Sequence, residues 1–347
     1  AGTHGKTTTA SMLAWILEDT GHAPGFLIGG IPANFGTSAR FGKSEYFVVE
    51  ADEYDTAFFD KRAKFVHYRP RTLVLNNLEY DHADIYKDLD AILWQFHQLL
   101  RTVPGRGRIV LNGVDENLKV LLSQGCWTPT ETFSTGEDSD WMARFGDKVE
   151  RHIGMRGPGG QAAETRWRIG GTYNLENALA AVAAAASAGV TLEQAVDSMS
   201  RFDGVKRRME RTATVADIAI YDDFAHHPTA IAKSIRSMRR RYPGHRIVVA
   251  VEPRSNTMKL GVHNETLAHA LQDADLVWMY RPDGMPADFE SSLESLGKKL
   301  RLYDDYDRLV NDMSTRVLGG DQVIFMSNGG FGSARQTLTA LLQRTRA

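Results

Sequence analysis

Gly2-Thr3-His4-Gly5-Lys6-Thr7-Thr8 decides the fold, because an amphipathic helical segment, Thr7 to Thr20, follows it at once. Glycines at two close positions let backbone N–H groups turn inward around an anion, and the N-terminus of the following helix favours negative charge. In such a loop Lys6 reaches terminal phosphate oxygens, and the Thr7 hydroxyl can ligate Mg²⁺. A Gly-Lys-Thr triplet also arises as an ordinary turn before a helix, so the reading rests on what surrounds it. Loops of this kind are fed by a buried strand. The sequence opens at Ala1, inside the loop, and therefore reads as one that begins late, without that strand.

Outward from the loop, apolar runs alternate with helical segments to the end of the chain, the pattern of an α/β architecture with parallel strands. Strands are expected at residues 46–49, 72–76, 108–111, 218–221, 247–251, 276–279 and 323–326, and helices at 7–20, 89–102, 175–188, 229–242, 264–274 and 334–344. Between Glu131 and Gly171, short alternating stretches rich in glycine predict a small antiparallel addition, with Gly157-Pro158-Gly159-Gly160 as a turn. Asp203 to Arg208 interrupts two periodic segments, giving domains of 1–210 and 211–347.

Several strands run straight into polar clusters: Glu50-Ala51-Asp52-Glu53, Asn76-Asn77-Leu78-Glu79-Tyr80-Asp81-His82, Asp222-Asp223, and Ser327-Asn328-Gly329-Gly330. Ligands of open α/β sheets sit beyond the carboxyl ends of strands. One of Glu50, Asp52, Glu53 and Asp55 is expected to serve a magnesium ion, which prefers hard oxygen donors; an acidic loop is otherwise simply solvated. His82 is placed among carboxylates as a metal ligand or proton carrier, whereas His67 and His97 read as structural. His226-His227 beside Asp222 and Asp223 raises a zinc site, but adjacent side chains diverge and no further ligand lies at zinc spacing. Arg207 and Arg208, at the expected boundary, read as surface charge or as an arginine finger.

The composition is that of a globular chain: 347 residues, 42% hydrophobic, 24% charged, formal net charge −2. That charge argues against a nucleic-acid partner, and Arg239-Arg240-Arg241 reads as a solvated helix end. Cys126 is the one cysteine, which suits a reducing compartment. No signal peptide is visible, and the apolar run from Ala178 to Val190 is too short to span a bilayer of about 30 Å. A cytoplasmic location without membrane insertion is expected; the oligomeric state is left open.

The motifs Gly2-Thr3-His4-Gly5-Lys6-Thr7-Thr8-Thr9, Glu50-Ala51-Asp52-Glu53, Asn76 to His82, Tyr173-Asn174-Leu175-Glu176-Asn177-Ala178 and Asp222-Asp223-Phe224-Ala225-His226-His227-Pro228 stand in the order seen in Mur ligases, and the chain resembles that family along essentially its whole length. The resemblance implies a P-loop central ATPase domain with a mostly parallel sheet, a Rossmann-like α/β C-terminal domain, and the use of ATP and Mg²⁺. It places Gly2, Thr3, His4, Gly5, Lys6, Thr7 and Thr8 around the ATP phosphates, with Thr7, Glu50 and His82 on metal. It gives Asn177 to adenine, Arg208 to a phosphate and Asp223 to the ribose, and makes Lys6, His82 and Arg208 the catalytic set. Arg254, Asn256, Ser327, Asn328 and Gly329 are candidates for the amine substrate.

Three further stretches, Gly29 to Gly36, Glu50 to Arg62 and Glu252 to Lys259, resemble the branch that joins UDP-N-acetylmuramate to the murein tripeptide L-Ala-γ-D-Glu-meso-diaminopimelate in peptidoglycan recycling. The alternatives are the branch that adds L-alanine, or an ATP-binding module without ligase activity. A GTPase switch would carry a guanine-reading Asn-Lys-x-Asp segment, which is absent from the sequence. Two features depart from the family pattern. Phe96 and His97 stand near the place where many Mur ligases carry a carbamylated lysine. The family's N-terminal UDP-binding domain has no counterpart in these residues.

Overall fold

Gly5 takes φ 82° and ψ −5°, a left-handed conformation open to glycine but costing other residues roughly 1–2 kcal/mol. The chain turns there into helix α1 (Lys6–Asp19), whose cap makes no side-chain hydrogen bond. The computed structural model describes residues 1–81, 85–136, 138–254, 258 and 264–346. These fall into two units, Ala1–Val205 and Lys206–Ala347.

In the first unit α1 is followed by β1 (Gly25–Leu27), β2 (Ala39–Arg40), β3 (Phe47–Val49) and a hairpin of β4 (Asp55–Ala57) and β5 (Asp60–Ala63). Next come β6 (Thr72–Leu75), α2 (Leu89–Leu100), β7 (Arg108–Asn112), α3 (Glu116–Ser123), β8 (Thr130–Ser134) and β9 (Trp141–Phe145). The unit closes with β10 (His152–Arg156), β11 (Ala162–Arg166), α4 (Thr172–Ala185) and α5 (Leu192–Met199).

One sheet has the order β2-β1-β3, with β1 and β3 parallel. The larger has the order β11-β10-β9-β8-β7-β6; it is parallel from β6 to β9 and antiparallel across β9, β10 and β11. The change of sense follows the residue pattern. Residues of β7 are buried in a near-continuous run, whereas β10 and β11 alternate, as strands with one solvated face do.

Helix α4 packs on α1, and its Ala178, Ala180, Ala181, Ala183 and Ala185 are all buried. Small side chains let the two backbones approach closely at the base of the glycine loop. Ala1 donates its amino group to Val74 O (2.8 Å), and Asn76 N–H donates to Ala1 O (3.1 Å). These two bonds set the first residue parallel to β6. A cleft of about 820 Å³ lies beside it, lined by Leu13 and Leu17 of α1, Phe47 and Val49 of β3, and Thr72 and Val74 of β6.

The second unit contains β12 (Glu210–Val215), β13 (Ile218–Asp223), α6 (Pro228–Arg241), β14 (Ile247–Val251), α7 (Asn264–Leu271) and β15 (Leu276–Tyr280). It continues with α8 (Phe289–Ser292), β16 (Leu300–Tyr303), α9 (Tyr306–Arg316), β17 (Gln322–Met326) and α10 (Ala334–Arg346). Its sheet has the order β12-β13-β17-β14-β15-β16, parallel except where β12 meets β13. Every residue of β14 and β17 is buried, because α6 and α7 cover one face and α9 and α10 the other. The carboxyl ends of β13, β14 and β17 thereby bring Asp223, Glu252 and Ser327 to one edge.

The close seat of α1 on α4 yields a stability prediction. Replacing Ala181, fully buried, by leucine should destabilise the protein by about 1–3 kcal/mol through overpacking. Urea unfolding measures this, and an unchanged midpoint would show that the helices have room to spare.

Candidate active site

The glycine loop is held from beneath by three asparagines. Thr3 N–H donates to Asn77 O (3.1 Å), and His4 N–H donates to the Asn77 side-chain oxygen (2.7 Å). The Thr3 hydroxyl accepts from Glu79 N–H (2.8 Å) and donates to Glu79 O (3.1 Å). Asn76 Nδ2 donates to the Thr9 hydroxyl (2.8 Å), which donates in turn to Asn177 Oδ1 (3.2 Å). A Cβ at Gly2 would lie 2.8 Å from Asn77 O, and one at Gly5 would lie 2.2 Å from Asn177 Oδ1. Both glycines are therefore required sterically as well as conformationally. Asn177 sits under the loop, buried, in the second turn of α4.

Two acids behind β3 take the reactive side chains of the loop. The Thr7 hydroxyl donates to Glu50 Oε1 (2.8 Å), and Glu50 Oε2 accepts from Gly29 N–H (2.6 Å). Lys6 Nζ lies 3.0 and 2.9 Å from the two carboxylate oxygens of Glu53 and 3.4 Å from Thr3 O. Burial alone would lower the Lys6 pKa, but the charge and hydrogen bond of Glu53, with Asp52 and Glu50 behind them, hold it above its ordinary value. Asp52 caps its own turn through Tyr54 N–H, and Asp55 pairs with Lys61.

The pair formed by Thr7 and Glu50 fits Mg²⁺. Both donors are hard oxygens, and their 2.8 Å separation is close to the roughly 3 Å between neighbouring ligands of an octahedral ion with bonds of about 2.1 Å. His82, expected as a further ligand, lies outside the described residues, as does Asn256.

In the second unit Arg208 stacks over Phe224 at 4.6 Å, while Arg207 pairs with Asp222 at 3.6 Å and donates to Ser327 O and Gly329 O. Asp223 is buried; its carboxylate accepts from the Ser234 hydroxyl (2.7 Å) and from Met209 N–H (3.4 Å). Burial raises its pKa, against the Ser234 bond and the charge of Arg208. His227 caps α6 through Thr229 N–H, and His226 contacts Phe224 O. The two histidines thus have different partners within this unit.

Arg254 and the segment Ser327 to Gly329 gather around a residue that enters the family resemblance only as the start of a stretch, without a role. Glu252, 3% exposed, accepts from the Ser327 hydroxyl (2.5 Å), from Phe331 N–H (3.2 Å) and from the Tyr306 hydroxyl. A Cβ at Gly329 would lie 2.6 Å from Arg254 Cδ, so glycine is what lets the arginine stem cross the loop. The Arg254 side chain is 57% exposed and ends 4.0 Å from Glu252. A carboxylate at the end of an apolar strand was the available sign of this hub.

Sequence and structure comparisons agree on the relatives. Residues 1–185 match the Mur ligase middle domain, and residues 207–329 match the Mur ligase glutamate ligase domain. The UDP-N-acetylmuramate--L-alanyl-gamma-D-glutamyl-meso-2,6-diaminoheptandioate ligase of Escherichia coli is 46% identical, over 97% of this chain and 74% of that protein. Its Haemophilus influenzae counterpart is 44% identical over the same shares. A crystal structure of a murein peptide ligase from Psychrobacter arcticus aligns with 100% of this chain and 77% of its own, at 39% identity and a TM-score of 0.75. With both domain types matched in order and the glycine loop in place, the chain belongs to the Mur ligase family.

Proposed function

We propose that the chain provides the ATP-binding and amine-accepting parts of a ligase that joins UDP-N-acetylmuramate to L-Ala-γ-D-Glu-meso-diaminopimelate. The observation that carries the nucleotide part is the clamped loop, in which Lys6 and Thr7 are presented beside Glu53 and Glu50. The identity of 44% and 46% to two ligases named for that tripeptide supports the choice of acceptor. The resemblance to those ligases supports a reaction in the cytoplasm, in peptidoglycan recycling; no helix among the described residues is long and apolar enough to cross a membrane.

A carboxylate is a poor acyl donor. In the proposed reaction a carboxylate oxygen of UDP-N-acetylmuramate attacks the γ-phosphorus of ATP, the bond to ADP breaks, and an acyl phosphate forms. The tripeptide amine then attacks the acyl carbon, phosphate leaves, and the nitrogen gives up a proton. The first step brings two anions together, so Lys6 and the N–H groups of residues 2–8 would act by reducing that repulsion. Thr7 and Glu50, with His82 as the resemblance implies, would hold Mg²⁺, which neutralises phosphate charge when bound.

We assign Asn177, Arg208 and Asp223 to the nucleotide by the same resemblance. As that resemblance implies, Asn177 would contact adenine, Asp223 the ribose, and Arg208 a phosphate through its guanidinium. At the acceptor end, the exposed guanidinium of Arg254 suits the carboxylates of an acidic peptide, with Asn256, Ser327, Asn328 and Gly329 shaping that edge.

Gly5→Ala should weaken Mg-ADP binding by at least about tenfold with helix content retained, because its Cβ would meet Asn177. Unchanged affinity by calorimetry would remove the loop from the nucleotide site. Phosphate release from Mg-ATP with UDP-N-acetylmuramate should be faster with the tripeptide than with L-alanine, and the coupled product should appear by mass spectrometry. Preference for L-alanine would move the chain to the other branch. Nucleotide binding without release under either condition would leave only a binding module.

A further inference from the structure

Lys6 and Glu53 form a close ion pair. Both carboxylate oxygens of Glu53 lie within 3.0 Å of Lys6 Nζ, and the two side chains are 14% and 4% exposed. Glu50, three residues earlier, faces the Thr7 hydroxyl instead. The two acids therefore divide the loop between them. One holds the hydroxyl suited to a metal, and the other holds the ammonium suited to phosphate. The backbone of Glu53 is fixed as well, since its carbonyl accepts from the buried Tyr86 hydroxyl.

An ammonium engaged by both oxygens of a buried carboxylate is not positioned to grip a phosphate as strongly as a free one would be. The third neighbour of Nζ, Thr3 O, takes up another of its directions. In a poorly solvated site the attraction between the pair is strong, and separating it leaves a buried carboxylate short of a cation. A phosphate entering the loop adds negative charge beside that same carboxylate.

Resting on the nucleotide reading above, we propose that Glu53 is a displaceable counter-ion of Lys6, a positioning residue that holds the lysine in the empty loop and must yield it when a β-phosphate enters. Glu53 thereby lowers the affinity for every nucleotide long enough to reach Lys6, and leaves shorter ones alone. In exchange it keeps a buried ammonium paired while the site is empty. The trade is a readily reversible grip on the diphosphate product.

The test is calorimetric binding of ADP and of AMP, each with Mg²⁺, to the wild-type chain and to Glu53→Gln, Lys6→Met and the double variant. Glu53→Gln should tighten ADP binding about tenfold or more, the scale of a charged hydrogen bond. AMP, with no phosphate reaching Lys6, should change by less than about twofold. The gain for ADP should vanish in the Lys6→Met background. Glu53→Asp, which keeps the charge on a shorter stem, should give a smaller gain in the same direction and serves if the glutamine variant does not fold.

Unchanged or weaker ADP binding by Glu53→Gln, where the wild-type chain binds ADP, would overturn the counter-ion role alone. Equal tightening of AMP would do the same, because a purely structural relaxation would not tell the two nucleotides apart. A wild-type chain that binds no ADP would overturn the nucleotide reading and this role with it.

Discussion

The glycine loop keeps its shape because two positions have no side chain where the segment after β6 and the second turn of α4 press against them. A Cβ on Gly2 would come within 2.8 Å of Asn77 O, and one on Gly5 within 2.2 Å of Asn177 Oδ1. Everything proposed for the nucleotide depends on that contact. It lets α1 begin at Lys6 with no side-chain cap, leaving the helix N-terminus to an anion. It also fixes Lys6 and Thr7 on consecutive residues facing two different acids. The alanine surface of α4 belongs to the same constraint, since bulkier side chains would lift α1 and the loop together.

The second unit solves a similar problem with a buried carboxylate in place of missing side chains. Glu252 ends a strand that is apolar throughout, and its hydrogen bonds tie the segment Ser327 to Phe331 and the ring of Tyr306 to the sheet edge. Tyr306 in turn stacks on Tyr280 at 4.0 Å. A charge placed this deep is favourable only when its lone pairs are taken. Removing any one donor should loosen the segment more than a surface contact would. The exposed Arg254 is aimed by this arrangement, with its stem crossing the held segment at Gly329.

Much of the fold was legible in the sequence because its signals are local. The parallel strands 72–75, 247–251 and 322–326 announce themselves as apolar runs, and the antiparallel β9, β10 and β11 as alternating ones. Helix α9 was missed. Of its residues only Leu309, Val310 and Met313 are buried, and one short apolar face among Asp, Arg, Asn and Ser is easily read as a loop. Helix α5 was missed for its brevity, although Thr191 and Gln194 form a capping box that marks its start.

The loop was legible for the same local reason, but its supports were not. Asn77 and Asn177 are a hundred residues apart in sequence, and only the fold shows that both brace one turn. Nor could spacing separate Glu50 from Glu53. Both follow the same strand, and which of them meets Thr7 and which meets Lys6 is decided by the direction of the backbone beyond β3. His82 and Asn256 lie outside the described residues, so their expected roles stand as the family resemblance gives them.

The most direct measurement is a crystal structure of this chain with Mg-ADP. The β-phosphate is expected among the N–H groups of Gly5, Lys6, Thr7 and Thr8, with Mg²⁺ on the Thr7 hydroxyl. A nucleotide seated elsewhere, or a metal bound without Thr7, would contradict the assignment of the glycine loop on which the functional reading rests.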